Sequence, residues 1–128
     1  MAVEEVSSRN FRQRVLESDV PVVVDFHADW CRPCHQLSPI LHQLSEEWSG
    51  RVLFVKVDVD RSPDVSRAYR VASIPAVLLF EEGAPRAWSI GVKPGYLIER
   101  ELGLAKRRRK ERGGLVSRLL GRGKGGAS

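Results

Sequence analysis

The chain has little sulfur: two cysteines, Cys31 and Cys34, and one methionine, Met1, in 128 residues. It has three histidines, His27, His35 and His42, and no apolar run near the roughly 18 residues that span a bilayer. Its first residues, Met1-Ala2-Val3-Glu4-Glu5, are acidic and lead into no apolar secretory core, so no signal peptide is expected. Without export the cysteines face a reducing, cytoplasmic environment, where a purely structural disulfide does not persist. The expectation is a reactive pair or a metal site. Two cysteines fill only half of a tetrahedral zinc shell, and further ligands would have to come from among His27, His35 and His42.

A uniformly basic surface is also lacking, despite a net charge of +5. Residues 1–105 carry 12 Lys+Arg against 15 Asp+Glu, whereas residues 106–128 carry 9 against 1. The excess belongs to the tail and says nothing about the chemistry of the body. The length suits one domain with a real core and is short for two.

Along the body, Phe11, Val15 and Leu16 share one face of a helix expected over 8–18, with Ser7 or Ser8 as its cap. The β-branched run Pro21-Val22-Val23-Val24-Asp25-Phe26 has the pattern of a strand buried on both faces. Asp25 interrupts it, and a buried carboxylate is costly without a partner or a task. Leu37, Ile40, Leu41, Leu44 and Trp48 recur at helical spacing and predict a helix over 33–49, kinked by Pro39 and ended by Ser49-Gly50. A strand over 51–59 and a short helix over 63–69 follow. Next come a strand over 76–80, a turn over 81–85, an antiparallel return over 86–91 and a last helix over 94–104. This order is α/β: a central mixed sheet, parallel and then an antiparallel hairpin, with helices on both faces. Trp48 and Trp88 are expected to pack, and His42 to be solvated.

The chemistry concentrates in Trp30-Cys31-Arg32-Pro33-Cys34, between the first strand and the second helix. Residues i and i+3 on a helix are neighbours, with Cβ atoms about 5–6 Å apart, close enough for a disulfide after small adjustment. The first cysteine also meets the unpaired N–H groups and positive dipole end of the helix, which favour thiolate, the nucleophilic form. Cys31 is therefore the expected attacking sulfur and Cys34 the resolving one. Pro33 supplies a φ suited to a helix start.

This motif resembles the W-C-G-P-C active site of the thioredoxin family. The resemblance extends over about residues 5–104 in the same order and spacing. It includes Val23-Val24-Asp25-Phe26, Pro39, Lys56-Val57-Asp58-Val59-Asp60, Ile74-Pro75-Ala76 and Gly91. It implies the thioredoxin fold and a protein-disulfide reductase that works without a bound cofactor or metal. It also implies disulfide-containing protein substrates, a separate thioredoxin reductase as electron donor, and a monomer. Carried over to this sequence, Asp25 with Lys56 moves the proton of Cys34, and a cis peptide before Pro75 exposes the Ile74 backbone to substrate. Trp30, Arg32, Pro33 and Gly91 shape the receiving surface.

Four positions depart from the family pattern. Arg32 replaces glycine; a cation there favours the Cys31 thiolate and a more oxidising pair, which brings a disulfide isomerase or oxidant into view. His27 stands for a tryptophan, His35 follows Cys34, and Ser73 replaces a glycine. Either histidine can make activity pH-dependent near neutrality. Cys31–His35 is formally a haem-attachment signature, set aside because the rest of the frame points elsewhere. In the tail, Lys106–Lys110 precedes Leu115, Val116, Leu119 and Leu120 interleaved with Arg118 and Arg122. The expectation for 106–128 is a segment that is disordered, or marginally helical and able to contact an anionic membrane or nucleic acid weakly. A tail-targeted adaptor with secondary redox activity is the remaining alternative.

Overall fold

The computed structural model describes residues 3–107. Five strands, β1 (Glu4–Glu5), β2 (Val22–His27), β3 (Leu53–Asp58), β4 (Ala76–Glu81) and β5 (Ala84–Ile90), form one sheet in the order β1-β3-β2-β4-β5. β3 is parallel to β1 and β2, while β4 is antiparallel to β2 and β5. Three helices, α1 (Arg32–Glu47), α2 (Pro63–Ala68) and α3 (Gly95–Glu101), complete the architecture.

Strand alternation sends successive side chains to opposite faces and makes two cores. Val22, Val24, Phe26, Leu78 and Phe80 pack with Phe11, Val15 and Val65, on the face that carries α2. Phe11, Tyr69 and Phe80 meet there with ring centroids 5.0–5.6 Å apart. Val23, Val77 and Leu79 pack with Leu37, Leu41, Leu44 and Trp48 of the α1 segment and with Ile98, Leu102 and Leu104. Asp25 has the parity of Val23 and so faces α1.

Several elements differ from expectation. The helix expected over 8–18 is only a π-helical segment, Arg12–Leu16, entered through a turn at 8–10. The expected serine cap is absent: the N-cap is Phe11, without a side-chain hydrogen bond, and the Ser7 hydroxyl accepts the Arg9 N–H at 3.3 Å in the turn before it. Two exposed acidic residues carry no strand signal, yet Glu4 and Glu5 pair with Val55 and Lys56 as the edge strand β1. The hairpin is tighter than a turn over 81–85, because Glu82 (φ 52°) and Gly83 (φ 80°) both adopt positive φ and close it in two residues. Trp88 is not packed as expected: it lies on the edge strand β5 and is 60% exposed. Past α3 the chain turns through Gly103 and makes another helical turn at 104–107, where Arg107 pairs with Glu81. The expectations for the tail beyond 107 lie outside the described residues.

Candidate active site

β2 delivers the chain to the site, and a turn closed by the Cys31 N–H on the Ala28 carbonyl (3.1 Å) opens α1. Cys31 is the N-cap residue, with extended backbone, and Pro33 lies in the first turn, where its missing N–H costs nothing. The Cys34 N–H donates to Cys31 Sγ at 3.2 Å, so the sulfur takes the place of the usual capping oxygen. Cys31 and Cys34 are joined by a disulfide with Cα atoms 5.3 Å apart. Both are nearly buried, in a small cluster with Ala28, Val59 and Ile74.

Around this pair the structure gathers most of the residues singled out by sequence. Trp30 is 70% exposed, and its indole N–H donates to Asp60 Oδ2 at 2.8 Å. Arg32 is exposed on the first turn of α1. The Ile74–Pro75 peptide is cis, as expected, and the Pro75 carbonyl accepts the Gly91 N–H at 2.9 Å. Gly91 has φ 88°, a conformation that excludes most side chains even though a Cβ there would meet nothing within 4 Å. Ile90, Val92 and Tyr96 add exposed apolar surface near this glycine in sequence. Ser73 lines a groove of about 430 Å³ with Tyr69, Arg70, Trp88 and Ile90.

Asp25 lies beneath, away from solvent. It is 6% exposed, and its Oδ1 is buried without a hydrogen-bond partner among the described residues. Burial pushes its pKa from 3.8 to about 7, and the charge of Lys56 opposes the rise. Lys56 is its partner in the parallel β2–β3 register. The two share a cavity with Ser38, Leu41 and His42, so Lys56 is not a purely solvent-facing strand residue.

The histidines divide. His27 is half-buried, and its Nε2 finds no hydrogen-bond partner among the described residues. Burial first, and then Lys56, lower its pKa, against raising effects of Asp58, Glu5 and Asp29. His35 Nε2 lies 2.6 Å from the Asp29 carbonyl oxygen. His42 is half exposed and pairs with Glu46 at 3.3 Å.

Sequence reasoning missed the role of the β3 end. Asp58 is buried, and its Oδ1 accepts the N–H groups of Asp60 (2.8 Å) and Arg61 (3.2 Å). That turn places Asp60 under the Trp30 indole. Arg61 reaches Glu5 at 3.0 Å and Asp29 at 3.5 Å, tying β1 to the loop before the cysteines. The alternating carboxylates Asp58 and Asp60 were the available signal. Trp48 does pack: it is fully buried, with its indole N–H donating to Glu99 at 2.9 Å.

Comparison with known proteins agrees with this arrangement. The family model described as Thioredoxin matches residues 2–102. A thioredoxin of Rickettsia felis is 41% identical over 88 residues, covering 69% of this chain and 84% of that protein. Thioredoxin 1 of Nostoc sp. is 36% identical over 101 residues, covering 79% and 94%. The chloroplastic M-type thioredoxin of Spinacia oleracea is 39% identical over 92 residues, covering 72% and 51%. With its five-stranded mixed sheet, flanking helices and C-x-x-C redox pair, this chain belongs to the thioredoxin family of thiol–disulfide oxidoreductases.

Proposed function

We propose that the protein reduces disulfides of protein substrates, with Cys31 attacking and Cys34 resolving. The observation that carries the assignment is the Cys34 N–H on Cys31 Sγ at the start of α1. A sulfur that accepts a backbone donor at the positive end of a helix is favoured as thiolate. Cys31 thiolate attacks one sulfur of the client disulfide, forming a mixed disulfide and releasing the other sulfur as a thiolate, which takes a proton from solvent. Cys34 then loses its proton to the Asp25 carboxylate and attacks Cys31 Sγ. The Cys31–Cys34 bond forms, the second client thiolate leaves, and two electrons have passed to the client.

A carboxyl that titrates near 7 suits this transfer, because it accepts and returns a proton at neutral pH. Lys56 keeps its pKa from rising further. Trp30, Arg32, Pro33, Ile74, Pro75 and Gly91 form the surface that receives the client, with the Ile74 backbone pairing to an extended segment. A separate reductase restores the dithiol. Residues 1–105 form the catalytic domain of a cytoplasmic monomer, and 106–128 form a basic extension that contacts anionic surfaces weakly. Deleting 106–128 and comparing binding to anionic vesicles and to DNA at two salt concentrations tests the extension.

The assignment of roles is tested by trapping. Cys34→Ser should accumulate a mixed disulfide with a client through Cys31, whereas Cys31→Ser should not. The reverse pattern would exchange the two roles. Insulin reduction together with the redox potential tests the activity: a strongly oxidising pair would favour the isomerase reading, and an inactive pair the adaptor.

A further inference from the structure

Asp25 has one unfinished task in this scheme. The proton it takes from Cys34 must leave a side chain that is only 6% exposed. Behind it lies a cavity of about 130 Å³ lined by Val3, Asp25, Ser38, Leu41, His42 and Lys56. Liquid water takes about 30 Å³ per molecule, so the space suits a short chain of waters, given polar partners. Asp25 Oδ1, buried without a partner among the described residues, is one such partner.

The wall residues differ in what they can do with a proton. Val3 and Leu41 are apolar. Lys56 as an ammonium donates but has no lone pair to accept with. Only the Ser38 hydroxyl and the His42 imidazole both accept and donate. They also fall in a row. Cys34, Ser38, His42 and Glu46 are spaced by four residues along α1, which places them on one ridge of the helix. The ridge runs from a redox sulfur, past the Asp25 cavity, to a half-exposed imidazole. There Glu46 Oε2 lies 3.3 Å from His42 Nε2, placed to stabilise a transient imidazolium.

We propose that Ser38 and His42 relay the Asp25 proton to bulk solvent, so that the catalytic proton exits along α1 rather than through the client-facing surface. The inference rests on the proposed role of Asp25. In the step, Asp25–COOH gives its proton to cavity water. The water and the Ser38 hydroxyl pass a proton to the His42 imidazole, which releases one outside. No electrons move in the relay, and the departing client thiolate takes its own proton from solvent. A client docked over the cysteines therefore does not block proton release. Among the described residues that pair with His42 or line the cavity with it, the charged or titratable ones are Glu46 on α1, Asp25 on β2 and Lys56 on β3. His42 is a positioning and relay residue, acting only through Asp25.

The test is single-turnover oxidation of the reduced full-length chain by a disulfide peptide at about pH 6–7, where Asp25 is half or more protonated and must shed that proton before taking one from Cys34, followed by tryptophan fluorescence. His42→Ala should slow the resolving step several-fold, less than the roughly 10²-fold expected for losing a direct acid–base group. Imidazole in the buffer should restore the rate of His42→Ala and leave Asp25→Asn slow. Ser38→Ala should slow the step without imidazole rescue, and redox potentials of both relay variants should match the parent. A parental rate for His42→Ala beside a slow Asp25→Asn overturns the relay and leaves Asp25 standing. Slowing of His42→Ala that imidazole does not relieve also overturns it. A parental rate for Asp25→Asn removes the role of Asp25 itself.

Discussion

Replacing Asp25 by Asn should make the protein more stable, and the gain should grow with pH. The carboxyl titrates near 3.8 when exposed and at about 7 in the fold, because burial disfavours its charge more than Lys56 favours it. Below 3.8 it is protonated in both states and contributes no difference. Between 3.8 and 7 the native state binds a proton that the unfolded state does not, so stability falls as pH rises. Above 7 both states are ionised and the whole cost is present. Three pH units at about 1.4 kcal/mol each give about 4 kcal/mol. Near pH 5 the loss is about 1.6 kcal/mol by the same relation. Asn keeps the shape and does not titrate. The stability difference between Asp25→Asn and the parent should therefore widen by about 4 kcal/mol from pH 3 to pH 8, a large part of a typical domain's 5–15 kcal/mol. Urea unfolding of the oxidised proteins at pH 3, 5 and 8, followed by tryptophan fluorescence, measures it. A difference that stays constant to within about 0.5 kcal/mol across that range would refute a buried carboxyl titrating near neutrality.

Lys56→Met should raise the Asp25 pKa further, since the Lys56 charge is what opposes its rise; carboxyl-carbon NMR titration reads the direction. Arg32→Gly should shift the redox potential to a more reducing value by removing a cation beside Cys31, and equilibration with glutathione checks it. An unchanged potential would end that account of Arg32. Phe80→Ala should cost about 3–5 kcal/mol, because it empties the aromatic cluster with Phe11 and Tyr69. That cluster lies across the sheet from α1, so insulin reduction by the folded variant should be near parental at 25 °C while its urea midpoint drops.

Where local chemistry is strong, the sequence already determined the outcome. The β-branched run around Asp25, the four-residue rhythm of α1 and the Cys31–Cys34 spacing each specify their own geometry. The family resemblance supplied what spacing alone does not, namely the cis peptide at Ile74–Pro75. Other features depended on partners distant in sequence. β1 exists because Glu4 and Glu5 meet the free edge of β3, a pairing invisible in two exposed acids. The segment at Arg12–Leu16 forms a π-helical stretch where its apolar spacing favoured a longer helix. Trp88 is exposed on the edge strand β5, a placement that composition does not reveal.

The site divides the same way. Two cysteines at a helix start, with a carboxylate in the preceding strand, were legible as residues. The burial of the Asp25 strand was legible too, but not how far that burial moves the Asp25 pKa, which is to about 7. The Trp30–Asp60 hydrogen bond links residues thirty positions apart. His42 was expected to be solvated and is half exposed, yet together with Ser38 it also lines the cavity beside Asp25. Sequence determined which groups carry the redox chemistry, since thiol reactivity and helix capping are local. Only tertiary structure decided how deeply the carboxylate is held and what shares its cavity, because desolvation is set by everything packed around a group.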